Sequence, residues 1–354
     1  MSDLFKDKRI LITGGTGSLG KILTRRILTG QYGKPARITI FSRDEAKQHE
    51  MRLAFHHMAT ATEEIIYYDA MQLLHFHIGD VRDFHSISSA LINTDVVFNT
   101  AALKQVPACE YFPNQAVATN VSGPDNIVKA IETLGLKVDT VIGVSTDKAC
   151  KPVNVMGMTK AIQERVFITA NLRCPNTRFI CVRYGNVLAS RGSVVPLFHY
   201  QIRFGGPVTI TTPDMTRFLL SLEQAIDTII DAYSDANRGE IFIPRIPASL
   251  IINIAKALIG NRDIETKIIG IRPGEKVHEI LVAEDEAYRT ITRGNYYVIK
   301  SILPELNLNP SEPSSIQGEY SSKTSVMDFA QTRQLLETSK LMIEDVSNFE
   351  ELLR

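Results

Sequence analysis

Short apolar runs alternate with longer helical stretches through the first half of the chain. Six runs rich in β-branched and aromatic residues predict strands, and the stretches between them predict helices, the first over residues 21–28. The predicted strands are residues 9–13, 37–41, 75–78, 95–99, 140–144 and 179–183. Strands that alternate with helices pair in parallel, because a parallel connection needs a long crossover. We therefore predict an α/β fold built on a doubly wound parallel sheet of the Rossmann type.

The regular alternation fades from about residue 185, where glycine and proline divide the chain into shorter pieces. We predict a large sheet domain over residues 1–184, to which some later segments return, and a smaller lobe over residues 185–310. Residues 311–354 are predicted to form a C-terminal connection and helix, with an exposed connection over 309–325 and the helix over 325–342. Residues 55–74 are more than a second helix requires, and a lid or a subunit contact is our interpretation of them.

Composition and charge narrow the class of protein. The 354 residues include 39 basic and 39 acidic side chains, which argues against a dedicated nucleic-acid binder without excluding a local basic pocket. At 44% hydrophobic and 22% charged residues, the chain is typical of a soluble globular protein. No apolar run approaches the ~18 residues of a membrane span, and the N-terminal apolar run is too short for a signal peptide. We therefore expect neither nucleic acid nor a membrane among its partners.

The cysteines and histidines show no paired or ligand-like spacing. The four cysteines are Cys109, Cys150, Cys174 and Cys181, and their scatter along the chain predicts reduced thiols in the cytoplasm. His75, His77, His199 and His278 are equally scattered, so we predict no metal site.

A glycine-rich loop follows the first predicted strand. It reads Thr13-Gly14-Gly15-Thr16-Gly17-Ser18-Leu19-Gly20 and leads into the first predicted helix. Its glycines allow a sharp turn, a close approach of backbone to a pyrophosphate and tight helix–strand packing, while the helix N-terminus faces the phosphate charge. A plain turn is the alternative. The position after the first strand favours a bound dinucleotide. The predicted contacts are Gly14, Thr16, Gly17, Ser18, Leu19 and Gly20.

The end of the second predicted strand bears on the choice of dinucleotide. An NAD site usually presents a carboxylate there to the ribose 2′-hydroxyl, but this strand ends Phe41-Ser42-Arg43. Ser42 and Arg43 suit the 2′-phosphate of NADP, and the charge argument favours NADP over NAD. In the alternative, Arg43 starts a solvated helix and Asp44 takes the ribose. Asp80 and Val81 follow the third predicted strand and are expected at the adenine edge, with a surface turn as the alternative.

A second polar cluster follows the fifth predicted strand. It reads Ser145-Thr146-Asp147-Lys148 and is followed by Met156-Gly157-Met158-Thr159-Lys160. Open α/β sheets place their chemistry in the crevice beyond the strand ends. Asp147 and Lys148 are adjacent opposite charges, so each favours the ionised form of the other. A surface ion pair in a turn is the alternative, and the dinucleotide loop upstream favours a reaction site.

Several of these motifs resemble the extended short-chain dehydrogenase/reductase superfamily: the glycine loop, Asn99-Thr100-Ala101-Ala102, Thr146 and Lys160. Further motifs between residue 10 and about residue 280 are similar to the UDP-N-acetylglucosamine 4,6-dehydratases of bacterial polysaccharide and nonulosonic-acid synthesis. These motifs are Ser42-Arg43-Asp44-Glu45, Ala101-Ala102-Leu103-Lys104-Gln105-Val106-Pro107, Ser145-Thr146-Asp147-Lys148-Ala149, Arg183-Tyr184-Gly185-Asn186-Val187, Ser190-Arg191-Gly192-Ser193-Val194, Met215-Thr216-Arg217-Phe218 and Arg272-Pro273-Gly274-Glu275-Lys276. The resemblance makes residues 1–184 an NADP-binding domain and residues 185–310 a UDP-sugar lobe, and it leads us to expect a homo-oligomer.

The family reaction implies roles for the cluster after the fifth strand. Hydride leaves C4 of the sugar for the nicotinamide, the C5 proton and the C6 hydroxyl are lost, and the hydride returns to C6. Lys148 is our predicted base at C5, because a lysine desolvated in a closed pocket can have a low pKa. Asp147 is the predicted acid for the C6 hydroxyl and the acceptor of the O4 proton, and Thr146 orients O4. Lys160 is expected to hold the nicotinamide ribose.

The resemblance also implies further binding residues. Ala101 and Tyr184 would lie on the cofactor, and Lys104 and Asn186 on the sugar and diphosphate. Arg217 and Arg272 carry planar guanidinium groups suited to bidentate phosphate contacts, and Glu275 suits a uridine ribose. These predicted substrate-binding residues are Lys104, Asn186, Arg217, Arg272 and Glu275.

One departure from the superfamily pattern leaves alternatives open. The catalytic motif is Tyr-x-x-x-Lys, but the tyrosine position before Lys160 holds Met156, whose thioether carries no proton at neutral pH. A branch of the dehydratases also carries methionine there, with the Thr-Asp-Lys cluster as its acid–base group. A UDP-sugar 4-epimerase, which needs no base at C5, is the alternative reaction, and a non-catalytic NADP-binding protein is a third possibility.

Overall fold

The computed structural model describes residues 3–61, 72–188, 193–307 and 312–346. Its strands are β1 (Arg9–Thr13), β2 (Arg37–Ser42), β3 (Leu74–Ile78), β4 (Val96–Asn99), β5 (Thr140–Val144), β6 (Arg178–Val182), β7 (Asn186–Val187), β8 (Val208–Ile210), β9 (Thr216–Leu220), β10 (Ile241–Pro244), β11 (Ala248–Leu250), β12 (Thr266–Ile268), β13 (Ile280–Val282), β14 (Thr290–Arg293), β15 (Tyr296–Ile299), β16 (Tyr320–Ser321) and β17 (Val326–Met327).

The helices alternate with these strands. They are α1 (Ser18–Leu28), α2 (Glu45–Ala61), α3 (Phe84–Leu91), α4 (Val106–Tyr111), α5 (Pro113–Val117), α6 (Gly123–Leu134), α7 (Val155–Arg173), α8 (Val194–Arg203), α9 (Leu222–Asp235), α10 (Ile251–Ile259), α11 (Glu284–Ala287) and α12 (Phe329–Thr338). A π-helical turn at Ala118–Ser122 joins α5 to α6, and short 3₁₀ turns occur at Asp147–Ala149 and Pro304–Leu306. None of the helices in the described ranges is long and apolar enough to cross a membrane.

A nine-stranded sheet in the order β14-β15-β10-β6-β5-β4-β1-β2-β3 forms the centre of the fold. The neighbours from β10 to β3 pair in parallel, and β15 and β14 add an antiparallel hairpin at one edge. The strand order reverses between β1 and β4, where a crevice opens beyond the carboxyl ends of the strands. The predicted doubly wound Rossmann sheet is confirmed.

Apolar side chains on both faces of the central strands form the main core. Every residue of β4 is buried, as are the last four residues of β1 and the first four of β5, which explains their nearly uninterrupted apolar sequences. Phe5, Phe98 and Phe179 are fully buried in this core. Because burying each such side chain stabilises a protein by about 1.5–3 kcal/mol, the sheet is a rigid base for the loops at its carboxyl edge.

The smaller lobe is interleaved with the sheet domain along the chain. A second sheet, β17-β11-β9-β7, packs with α8, α10 and α12 around a separate core that includes Phe198, Ile254 and Leu336. In contrast, α9, β10 and the β14–β15 hairpin return to the main sheet. The chain therefore passes between the two cores several times.

Two predictions about the C-terminal segment need correction. Residues 309–325 are not exposed throughout, because β16 pairs with β13 and Ser322 is fully buried. The final helix, Phe329–Thr338, is shorter than residues 325–342. It begins after Asp328, whose Oδ1 atom accepts a hydrogen bond from the Gln331 N–H. Residues 62–71 of the segment 55–74 lie outside the described residues, and so do residues 190–192 of the motif that begins at Ser190.

Candidate active site

The loop between β1 and α1 presents backbone rather than side chains to the crevice. Gly14 has φ of 65°, and a Cβ atom at this position would lie 2.8 Å from the Ala101 backbone, so only glycine fits. α1 begins at Ser18, behind Gly17, without a side-chain cap and without an acidic residue in its first turn. The first N–H groups of α1 are therefore available to a phosphate group.

The other predicted loop residues support this turn. Thr16 is buried, Leu19 packs against the main core, and Gly20 lies against the Gly15 backbone where α1 meets the sheet. A pyrophosphate fits this arrangement, because backbone and small side chains line the approach to the helix N-terminus.

The predicted 2′-phosphate and adenine residues cluster at the ends of β2 and β3. Arg43 is 56% exposed, and its Nη1 atom lies 3.8 Å from Asp80 Oδ2. Arg82 binds the same carboxylate at 2.6 Å. Partial burial works to raise the pKa of Asp80, but the hydrogen bonds from Arg82 outweigh it and hold that pKa below its usual value. Ser42 is buried, and its Oγ accepts a hydrogen bond from Gln48.

Val81, Ala101 and Tyr184, the remaining predicted cofactor residues, each pack against neighbouring backbone. Val81 is buried against Gly123, and Ala101 packs on Gly14. Tyr184 is buried next to the reaction cluster, where its carbonyl accepts the Asp147 N–H at 3.0 Å, and burial raises the pKa of its hydroxyl.

The cluster after β5 is held together by short contacts. Thr146 Oγ1 donates to Asp147 Oδ1 at 2.9 Å, and Lys148 Nζ donates to the same oxygen at 3.1 Å. The Asp147 side chain is fully buried, and its Oδ2 atom has no hydrogen-bond partner within the described residues. The structure thus brings Thr146, Asp147 and Lys148 into one hydrogen-bonded group with a free carboxylate oxygen.

A residue that the sequence did not indicate completes this group. Glu279 lies just before β13, and its Oε1 atom is 3.3 Å from Lys148 Nζ and 3.9 Å from Arg217 Nε. Glu279 belongs to none of the motifs above, and no local pattern marks it. Its role depends on the distant pairing that places β13 beside the end of β5.

The pKa of Lys148 differs from the expectation drawn from the sequence. Burial raises the pKa of Asp147, and the Glu279 carboxylate adds to that effect. Burial works to lower the pKa of Lys148, but the Asp147 and Glu279 carboxylates outweigh it, so this pKa lies above its usual value. The expectation of a lowered pKa for Lys148 is therefore wrong, because the Asp147 and Glu279 carboxylates together outweigh the effect of burial.

Lys160 has the lowered pKa instead. It is buried in α7, its Nζ donates to Gln163 Oε1 at 2.5 Å, and burial lowers its pKa to about 8. Met156, in the tyrosine position, is buried among Cys109, Ala116 and neighbouring apolar side chains. The methionine position is therefore an apolar contact between α7 and α4–α5.

The start of α7 ties the reaction cluster to the smaller lobe. Asn154 caps the helix by accepting the Gly157 N–H, and its Nδ2 donates to the Gly274 carbonyl at 2.7 Å. A Cβ atom on Gly157 would lie 2.1 Å from the Lys148 carbonyl oxygen, so glycine is required for this close approach. The turn that carries Arg272 and Glu275 is thereby fixed beside α7.

The predicted substrate residues differ in their burial and in the hydrogen bonds they already make. Arg217 is buried, and its Nη1 donates to the Thr216 and Val277 carbonyls, so part of its guanidinium is already committed. Lys104 and Arg272 are exposed on loops. Asn186 Oδ1 and Glu275 Oε2 are buried without a hydrogen-bond partner in the described ranges, and both can accept from a ligand.

A network of buried ion pairs lies next to the reaction cluster. Arg183 is sandwiched between Glu164 and Glu286, with contacts of 2.6 and 2.7 Å. Ser145 donates to Glu164 at 2.5 Å, which links the network to the residue before Thr146. The network connects β5, α7 and α11 and fixes the end of β5.

The sequence matches the polysaccharide biosynthesis protein family over residues 10–301. The chain belongs to this family. The family includes nucleotide-sugar-modifying enzymes of the extended short-chain dehydrogenase/reductase type, and the resemblance stated from the motifs is confirmed.

Relatives in the family carry different names. A protein of Rickettsia typhi named UDP-glucose 4-epimerase is 40% identical over 98% of this chain and 100% of its own length. The X-ray structure of Pen from Bacillus thuringiensis is 33% identical, with a TM-score of 0.84 over 96% of this chain and 99% of that one. A dTDP-glucose 4,6-dehydratase from Streptomyces venezuelae, solved with NAD, is 19% identical with a TM-score of 0.63 over 76% and 86% of the two chains, and supports the fold alone.

Proposed function

We propose that this member of the family catalyses the NADP-dependent 4,6-dehydration of a UDP-N-acetylhexosamine, with UDP-N-acetylglucosamine as the substrate. The product is a UDP-4-keto-6-deoxy sugar for surface polysaccharide or nonulosonic-acid synthesis in the cytoplasm. The observation that carries the proposal is the contact between the buried Asp147 carboxylate and the half-buried Lys148 ammonium group at the carboxyl end of β5. Dehydration needs an acceptor for the O4 proton, an acid for the departing C6 hydroxyl and a base at C5. Asp147 can fill the first two roles in turn, and Lys148 can fill the third.

The residues of the crevice fit a dinucleotide. The Gly14–Gly20 loop and the α1 N-terminus would hold the pyrophosphate, and Arg43 with Ser42 would meet the 2′-phosphate of NADP. Contact with a phosphate would give the exposed Arg43 guanidinium a closer partner than Asp80, now 3.8 Å away. When bound, the nicotinamide supplies a hydride acceptor for C4 and returns the hydride at C6.

Asp147 is suited to accept the O4 proton and then to release it. Its free Oδ2 atom gives a substrate hydroxyl a place to bind, and Thr146 fixes the orientation of the carboxylate through Oδ1. Because its pKa is raised, Asp147 is a stronger base than an exposed aspartate and remains protonated at higher pH. The same carboxyl group can therefore protonate the departing C6 hydroxyl.

Lys148 acts as the base at C5 only in its neutral form. Its raised pKa makes that form scarce at neutral pH, so the rate of C5 proton removal is expected to increase with pH. Lys160 would hold the nicotinamide ribose and contribute positive charge near the reacting C4. Arg217, Arg272 and Lys104 would anchor the diphosphate, with Asn186 and Glu275 as hydrogen-bond acceptors.

A UDP-sugar 4-epimerase is the second candidate, favoured by the name of the Rickettsia relatives at 40% identity. An epimerase needs a proton acceptor at O4 and a ketone that turns over in the site, and Asp147 alone could serve it. It has no use for a base at C5. A non-catalytic NADP-binding protein is a third candidate, and Met156 in the tyrosine position is the feature that favours it.

The deciding experiment is incubation with UDP-N-acetylglucosamine and NADP in heavy water. A dehydratase gives a product lighter by one water with deuterium at C5, whereas an epimerase gives an isobaric product without it. NMR of the product then assigns the C5 configuration. Lys148→Ala should abolish deuterium incorporation while the protein still binds NADP. Incorporation at the wild-type rate would contradict the assignment of Lys148, and no turnover of any kind would favour the non-catalytic candidate.

A further inference from the structure

Charges from three separate segments converge on the Lys148 ammonium group. Asp147 follows β5, Glu279 precedes β13, and Arg217 lies in β9. Lys148 Nζ is 3.1 Å from Asp147 Oδ1 and 3.3 Å from Glu279 Oε1, so it lies between two carboxylates. Both carboxylates are almost fully buried, with side-chain exposures of 0% and 3%. Buried charges at this distance interact more strongly than exposed ones, because water screens them less.

Each carboxylate uses only one oxygen in this arrangement. Asp147 Oδ2 and Glu279 Oε2 are both buried and have no hydrogen-bond partner in the described part of the chain. Buried polar atoms without partners are uncommon in folded proteins and usually have a functional explanation. Lys148 contacts the other oxygen of each carboxylate, Asp147 Oδ1 and Glu279 Oε1.

The backbone of Glu279 is fixed independently of Lys148. Its N–H donates to Ser322 Oγ at 2.9 Å, and its carbonyl accepts the Ser322 N–H at 2.8 Å. Ser322 is fully buried. The contacts with Ser322, next to the β13–β16 pairing, therefore hold Glu279 beside Lys148.

We propose that Glu279 is a positioning residue that, together with Asp147, clamps Lys148 as an ammonium ion between two buried carboxylates. The clamp sets the pH at which Lys148 becomes a free amine. Its catalytic consequence rests on the proposed function, in which the free amine removes the C5 proton. The clamp itself is a property of the protein without substrate.

The direction of the effect follows from the groups that face Lys148. Asp147 and Glu279 favour the ammonium form, whereas Arg217 and Lys276 oppose it. Replacement of Glu279 by glutamine leaves Asp147 alone against two cations and the desolvation of the site. An opposite charge at about 4 Å shifts a pKa by about 1–3 units, so Lys148 should deprotonate at least about one pH unit lower in this variant.

The direct test labels the amine itself. Cyanate carbamylates only neutral amines, and the Lys148 side chain is 22% exposed. Below its pKa, the labelling rate of Lys148, measured by peptide mass spectrometry, should be about tenfold or more higher in Glu279→Gln than in the wild type. Glu284→Gln is the matched control, because Glu284 is exposed in the neighbouring helix α11, and its labelling profile should equal the wild-type profile. A Glu279→Gln profile that coincides with the wild type would overturn the proposal.

A second measurement needs no variant at the clamp. In the wild type, the midpoint of the pH–labelling curve should be higher for Lys148 in the folded protein than for the same residue in the urea-unfolded chain. A lower midpoint for Lys148 would overturn the proposal even if Glu279→Gln did not fold. Glu279→Asp keeps the charge and should label between the wild type and Glu279→Gln.

Kinetics separate the clamp from the proposed reaction. If Lys148 is the base, the acidic limb of the kcat/KM profile should move to lower pH in Glu279→Gln by the same amount as the labelling midpoint. A labelling shift without a kinetic shift would support the clamp and contradict the catalytic role of Lys148. Because labelling requires no substrate, failure of the proposed function leaves the first test intact.

Discussion

Replacement of Lys148 by methionine tests the energetics of the reaction cluster without any assumption about the substrate. Methionine keeps an unbranched chain but removes the ammonium group that contacts Asp147 at 3.1 Å and Glu279 at 3.3 Å. Removal of one partner from a buried ion pair costs about 3–5 kcal/mol, because the remaining charge is buried without compensation. The Lys148 side chain is 22% exposed, so we expect a loss of about 3 kcal/mol at pH 7, at the lower end of that range.

The pH dependence of this loss has a definite sign. Without Lys148, burial and the Glu279 carboxylate raise the pKa of Asp147 further above its value in the unfolded chain. Between the unfolded and folded pKa values, the folded state then binds more protons than the unfolded state, so the free energy of unfolding decreases as pH increases. The variant should therefore be closest to the wild type at about pH 4–5 and furthest from it at pH 7.

Urea unfolding followed by circular dichroism measures the difference. With a slope of about 3 kcal/mol/M, the expected loss lowers the midpoint by about 1 M at pH 7 and by less at pH 5. Lys267→Met, at an exposed position in β12, is the control and should change stability by no more than about 0.5 kcal/mol. An unchanged midpoint at pH 7, or an equal loss at pH 5 and pH 7, would refute the reasoning.

Three further predictions concern the loop and α7. Gly14→Ala forces a side chain at φ 65° against the Ala101 backbone, so calorimetry should find NADP binding at least about tenfold weaker and unfolding about 1–2 kcal/mol easier. Met156→Ala should reduce kcat/KM by less than about tenfold, or about 1.4 kcal/mol, because Met156 contributes packing alone; a larger loss contradicts this. Burial lowers the pKa of Lys160 to about 8, so the side chain loses its charge between pH 7 and pH 9. The affinity of the protein for NADP should decrease over that range, and Lys160→Arg should remove the decrease.

The sheet could be predicted because its signal is local. Each of the six predicted strands agrees with the structure to within one residue at either end. Parallel strands covered on both faces are nearly uniformly apolar, and that property is visible in any short window of sequence. The glycine loop is equally local, since Gly14 and Gly17 act on neighbouring backbone. Helix α1 begins three residues earlier than predicted, because Gly17 serves as its N-cap.

The charge state of the site could not be predicted because it depends on distant residues. Glu279 lies beside Lys148 at the start of β13, which pairs with β16, and β16 lies in a segment whose composition predicts an exposed connection. Arg183 likewise contacts Glu164 and Glu286 from two other elements. A pKa is set by burial and by every nearby charge, whereas a motif reports only the residues adjacent in sequence.

Met156 and Lys148 together define what the two candidate reactions share and where they differ. Met156 lies in an apolar contact and carries no proton, so either reaction needs another acceptor for the O4 proton, and Asp147 with its free Oδ2 atom fits that need. Asp147 therefore does not discriminate between epimerase and dehydratase. Lys148 does, because an epimerase leaves C5 untouched. An epimerase would tolerate the loss of the amine at Lys148 if Asp147 kept its place, whereas a dehydratase would not.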